Sequence, residues 1–307
     1  MGQLQAAQSL GPAELEDIIA STLEETRKRG VDQAEVAVSH DVGLAATVRL
    51  GDVESLEYTN DRGIGITVYC GSRKGSASTS DISGDAIREA VGKACTFASY
   101  TAEDKYAGLA DADRMCADVP DLDLDHPWKL DATAAIELAT TCEASALGYD
   151  KCISNSEGAT VWTNRGVRAY GNTHGFVGSY ARSSHTLSCA VLGTADGDME
   201  RDYYYSSARD PADLDTAESI GVRAATRVLQ RLGARKIKTT RAPVVLIPEL
   251  ARGFIGHAIG AISGGAQYRR SSFLLDAAGE KIFPDFVNIE ERPHIPQGLA
   301  SAPYDGE

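Results

Sequence analysis

The chain has 307 residues, 43% hydrophobic and 24% charged, ordinary proportions for a globular protein with material for about two domains. A formal net charge of −14 argues against a nucleic-acid partner and against docking on anionic lipid, since both need a basic face. No apolar run approaches the roughly 20 residues that a membrane-spanning helix needs.

The N-terminal MGQLQAAQSLGPAELEDI has no basic region and no long apolar core, so it does not read as a secretory signal. Met1-Gly2 is only a weak myristoylation signal. The first helix is expected over Pro12 to Arg29. Proline suits its first position, Leu15, Ile18, Ile19 and Leu23 form one stripe, and Gly30 suits its stop. Strands follow, punctuated by Gly43, Gly51, Gly63, Gly71 and Gly75. Ile64, Ile66, Val68 and Cys70 alternate as a sheet with one packed face requires. A second helix is expected from about Asp85 to Ala98, capped by Ser83.

Residues 100 to 130 are rich in Asp and Ala and read as a solvated linker. Asp121, Asp123 and Asp125 alternate as in a calcium loop, but His126 and Ala132 stand where that loop needs Gly and Glu. A third helix is expected from Ala132 to Leu147, then strands from Cys152 to Tyr205 with a hairpin at Asp196-Gly197. A closing helix is expected from Pro211 to Leu232, capped by Asp210 and stopped by Gly233. Thr59-Asn60-Asp61-Arg62-Gly63 and Thr163-Asn164-Arg165-Gly166 read as equivalent tight turns. The fold class is α+β: helix–antiparallel meander–helix units at about 12–98 and 131–232, within a domain of residues 1–238. The basic segment from Arg231 to Lys238 marks its boundary.

The six cysteines, at 70, 95, 116, 142, 152 and 189, include no C-x-x-C pair and read as core residues in a reducing cytosol. The six histidines are scattered as well, and a site built from His174, His185 and a distant carboxylate has little support.

The stretch TTRAPVVLIPELARGFIGHAIGAISGGAQY, Thr239 to Tyr268, reads as a buried strand at Val244 to Ile247, proline punctuation, then an apolar helix ending at Ser263-Gly264-Gly265. Its interior face is expected to carry Phe254, Ile255 and Ala258. Together with YRRSSFLLDAAGEKIF and PHIPQGLASAPYDGE, this stretch resembles the TldD/PmbA family of two-subunit metalloproteases, in its PmbA (TldE) branch.

The resemblance implies a mostly β C-terminal domain beginning at residue 239 and incomplete at residue 307, because family members continue for roughly another third of their length. In the TldD branch the helix carries His-Glu, three residues, then His, and the histidines hold zinc. Here those positions read Pro248, Glu249 and Gly253. Neither proline nor glycine has a donor atom, so no metal is expected in this chain and zinc is expected in a TldD-like partner subunit. Glu249 is the retained counterpart of the motif glutamate. Gly264, Gly265, Tyr268 and Arg269 are the candidate substrate-binding residues, lining one wall of a cleft for unfolded peptides, modified-peptide precursors or antitoxin-like proteins. The implied location is the cytoplasm. Two rival readings stand beside this one. One is a non-enzymatic peptide-binding or scaffold protein. The other is a self-sufficient hydrolase using Ser271 or Ser272 with His257 and Glu249, for which no Gly-x-Ser-x-Gly elbow is present.

Overall fold

The computed structural model describes residues 10–306; Met1-Gly2 and the final Glu307 lie outside the described residues. The chain divides into two compact units, one holding the residues up to Gly233 and those from Arg292 onward, the other Ala234–Glu291.

The first unit is built on one antiparallel sheet. Helix α1, Pro12–Lys28, starts at its proline and ends before Gly30, whose φ of +73° stops it. Strands β1 (Gln33–Arg49), β2 (Asp52–Cys70) and β3 (Arg73–Thr79) follow, then helix α2, Gly84–Tyr100, where Ser83 caps the Ala86 N–H. The second half has the same element order. Helix α3 (Ala132–Leu147) is capped by Asp131, and β4 (Ile153–Asn172), β5 (Val177–Ala195), β6 (Asp198–Ala208) and α4 (Ala217–Arg231) follow it. The strand order is β3-β2-β1-β4-β5-β6, so β1 and β4 join the two halves at the centre.

Two cores lie on the helix-bearing face. Leu15, Ile19 and Leu23 of α1 and Ile87, Val91 and Ala94 of α2 close over Val36, Val38, Ile64, Ile66 and Val68. Ala135, Ala139 and Cys142 of α3 and Ile220, Ala224 and Val228 of α4 close over Leu44, Ala46, Val161, Leu187 and Val191. Gly75 is needed because a Cβ there would lie 2.1 Å from the carbonyl of Ala94, which presses α2 onto β3. The Asp196-Gly197 hairpin is present, with φ of 49° and 82°.

Several expectations are corrected. Thr59–Gly63 and Thr163–Gly166 are not turns: they run inside β2 and β4 and pair with the middle of β1. Strands of 17 to 20 residues carry these polar stretches because neighbouring backbone satisfies them from the side. Residues 121–126 are not a solvated linker. Leu122 and Leu124 are buried, and Ser183 donates its N–H to the Leu124 carbonyl at 2.8 Å. The closing helix does not begin at Pro211; a short 3₁₀ turn, Pro211–Asp213, precedes α4, which Thr216 caps.

The second unit contains helices α5, Pro248–Ile262, and α6, Gly264–Tyr268. Val244–Ile247 forms no strand and is exposed, Val245 at 95%. A strand needs a paired neighbour, and the described residues of this unit contain none. The expected interior face of α5 is also open: Phe254 is 60% exposed, and only Ala261 of this helix is buried.

Candidate functional site

Proline at the first position fixes the head of α5, and Glu249 in its first turn complements the positive end of the helix. At the tail, Ser263 accepts the Ala266 N–H and donates its hydroxyl to Gly260, so one side chain ends α5 and starts α6. Gln267 then donates to the carbonyls of Ala261 (2.7 Å) and Leu274 (3.3 Å), and Ser272 donates to Ala261 at 2.6 Å. These bonds hold the segment after α6 against the end of α5.

Gly264, Gly265, Tyr268 and Arg269 therefore share one short turn. Tyr268 is exposed at 83%, and a Cβ on Gly264 would meet nothing within 4 Å. The turn offers open backbone, a phenol and a guanidinium, groups that can hold an extended peptide or its carboxylate but supply no nucleophile. Glu249 is not brought to it. The two are separated by the length of α5, about 22 Å at 1.5 Å per residue. His257 is exposed, and the hydroxyls of Ser271 and Ser272 are directed to backbone carbonyls. The hydrolase constellation is thus not assembled.

In the first unit His185 is buried, bonded to Thr163 and to the His126 carbonyl, while His174 sits exposed in the β4–β5 connection. The pair forms no site. Sequence reading missed two features here. Arg209, almost fully buried, donates to the carbonyls of Ser183, Gly298 and Leu299, which ties residues 298–299 to the sheet. On the face of the sheet away from the helices, a groove of about 800 Å³ is lined by Ser39, Arg62, Ser78, Arg168, Tyr170 and Tyr180 over the small residues Gly63 and Gly65. Asp41 neutralises Arg168 at 2.7 Å, and burial, with the Glu35 carboxylate nearby, pushes the Tyr170 phenol up to about 12. The alternation of small residues along β1 and β2 was the available signal for this groove. Among the described residues no three His, Cys, Asp or Glu side chains converge as a metal-binding set.

Three domain models of one family match the chain in order: PmbA/TldA metallopeptidase domain 1 over residues 34–98, central domain over 125–232 and C-terminal domain over 239–307. The metalloprotease PmbA of Escherichia coli O157:H7 is 46% identical over 293 residues, 95% of this chain and 65% of that protein. The chain belongs to the PmbA/TldD family. A PmbA homolog of Haemophilus influenzae is 44% identical over 96% of the chain and 65% of its own length. The chain thus spans about two thirds of the length of these curated relatives. A solved structure from Bacteroides thetaiotaomicron superposes with a TM-score of 0.88 at 24% identity, covering 95% of this chain and 67% of that one. TldE from Thermococcus kodakarensis does so with a TM-score of 0.65 at 18% identity, covering 87% and 59%. At these identities the two structures speak for the fold alone.

A metallopeptidase family implies a metal, and the residues at the head of α5 do not fit one. Pro248 and Gly253 carry no donor atom, which leaves the single carboxylate of Glu249. No helix among the described residues is long and apolar enough to cross a membrane.

Proposed function

We propose that this chain is the non-zinc, PmbA/TldE-type subunit of a two-subunit cytoplasmic protease for unfolded or extended peptides, working beside a zinc-bearing TldD-like subunit. What supports this reading is the head of α5, which lies in the stretch matching the family's C-terminal domain and has Pro248 and Gly253 where the resemblance to the TldD branch would put zinc ligands. On this reading the chain contributes binding and orientation. The turn at Gly264, Gly265, Tyr268 and Arg269 holds backbone and charged groups of a peptide, and chemistry belongs to the partner. We read the two halves of the first unit as copies of one helix–meander–helix plan.

Reconstitution tests the proposal. The natural gene product alone leaves an unstructured peptide intact. Mixed with the cognate TldD-like subunit it gives cleavage that a chelator abolishes. Cleavage by the purified chain alone, or a mixture no more active than the partner by itself, overturns the reading.

A further inference from the structure

The chain leaves the first unit after Gly233 and rejoins it at Arg292. The family's C-terminal domain model covers residues 239–307, yet residues 292–306 pack with the N-terminal sheet. The returning stretch contains no helix and no strand among its described residues, so no backbone ladder holds it. A few specific bonds do so instead. Gln297 donates its N–H to the Leu122 carbonyl at 2.8 Å and its side-chain amide to Asp123 at 2.6 Å. Tyr304 donates its hydroxyl to the Gly178 carbonyl at 2.6 Å, and its ring makes T-shaped contacts with Phe176 and Tyr180.

The centre of this attachment is Arg209, directly after β6 and only 3% exposed. Its Nη1 donates to the Ser183 carbonyl of β5 at 2.7 Å, and the Ser183 hydroxyl donates back to the Arg209 carbonyl. Its Nη2 donates to the carbonyls of Leu299 at 2.8 Å and Gly298 at 3.2 Å. One rigid fork thus joins the sheet to the returning stretch. No carboxylate meets this guanidinium among the described residues, and burial, then the neighbouring Arg182 charge, lowers its pKa below the ordinary arginine value. Gln297 adds a second unfavourable feature, a left-handed backbone with φ of +55°. A buried cation held by carbonyls alone and a left-handed glutamine persist only where the surrounding contacts impose them.

We infer that residues 292–304 form a strap anchoring the far end of the second unit to the sheet, with Arg209 as its positioning residue. The inference rests on the proposed function in one respect, that the peptide-holding turn at Gly264–Arg269 belongs to the second unit. A segment fixed at both ends has fewer conformations than one fixed at α4 alone. Less order then has to be imposed when a peptide binds, which favours binding. Arg209 acts through Gly298 and Leu299 and need not touch the peptide.

The test compares the natural chain with Arg209→Met, Arg209→Lys and Tyr304→Phe. Methionine fills the space but leaves three carbonyls without a donor, whereas lysine returns the charge and some of the donors. Tyr304→Phe loosens the strap from its own side. In Arg209→Met, hydrogen exchange is expected to quicken about tenfold or more at the bonded amides of Gln297, Gly298, Ser301 and Ala302. Amides of β1 and β4 are expected to change by less than about twofold, and Arg209→Lys and Tyr304→Phe to fall between Arg209→Met and the natural chain. Strap and sheet amides quickening by one factor, or strap amides unmoved, overturn the strap. Should Arg209→Met not fold, Tyr304→Phe decides by the same readout. In the reconstituted protease, Arg209→Met is expected to raise KM for the peptide severalfold with kcat unchanged, and Arg209→Lys to restore part of it. An unchanged KM beside faster strap exchange overturns the positioning role. If the unmodified mixture does not cleave, the proposed function falls, and the exchange measurement still decides the strap.

Discussion

His185 donates its Nε2 proton to the backbone carbonyl of His126 at 2.9 Å, and Thr163 donates its hydroxyl to Nδ1 at 2.8 Å. A carbonyl can only accept, so this pair of bonds fixes one neutral tautomer. The ring is fully buried, and Trp128 packs edge-to-face with it, the ring centroids 5.5 Å apart. The segment before α3 is thereby fastened to the centre of the sheet.

Burial lowers the affinity of His185 for a proton below its ordinary value of 6.5. The unfolded chain therefore binds the proton first as pH falls. The contribution is complete above the unfolded pKa and is lost as pH drops through it towards the folded value. Urea unfolding of the natural chain should show stability rising from about pH 5 to about pH 7. The variant His185→Gln, whose amide can donate to His126 and accept from Thr163, should show a shallower rise. An unchanged slope would assign the dependence to another group.

Glu143 on α3 is 1% exposed and accepts the N–H groups of Leu50 and Gly51 at 2.8 and 2.9 Å, one on each carboxylate oxygen. Those residues make the β1–β2 turn, with φ of 52° and 82°. Glu143→Gln keeps the shape but turns one acceptor into a donor that faces a donor. The loss should be about 1.5–3 kcal/mol, the range for hydrogen bonds to a buried charged group. Denaturant midpoints would measure it, and an unaltered midpoint would mean that the turn holds itself.

Helices α1, α2 and α3 were legible because their signals are local: one apolar stripe each, with Pro12, Ser83 and Asp131 at their starts. The same local rules misread Asn60-Asp61-Arg62-Gly63, whose turn chemistry is overridden by pairing with Gly63↔Ser39 and Asn60↔Val42 partners far along the chain. They misread Leu122 and Leu124 too, because the aspartates around them made a segment with two buried leucines look solvated. Val244–Ile247 has the composition of a buried strand, but a strand also requires a neighbour, which composition does not report. The surroundings of His185 come from positions 22 and 59 residues away, so no window of sequence contains them.

Ala258 was expected between apolar neighbours in a core, where an aspartate would cost several kcal/mol. Its half-exposed place on α5, with Phe254 and Ile259 open to solvent, changes the expectation. Ala258→Asp should cost no more than about 1 kcal/mol in this chain, the difference in helix propensity. A loss of several kcal/mol in thermal or chemical unfolding would mean that the helix is covered in solution.

Glu249 provides the sharpest test of the proposed division of labour. It is exposed in the first turn of α5 and lies about 22 Å along that helix from the turn at Gly264–Arg269. A general base must come within about 3 Å of the proton it takes, directly or through one water. On the proposed reading, a carboxylate so far from the turn at Gly264–Arg269, with only Pro248 and Gly253 where the resemblance places metal ligands, would have no polarised water to act on. In the reconstituted protease Glu249→Gln should therefore lower the rate by less than about tenfold, under 1.4 kcal/mol of barrier. The equivalent change in the zinc-bearing subunit should cost orders of magnitude. If Glu249→Gln in this chain silences cleavage while the two subunits still associate, catalysis resides here and the assignment of roles is reversed.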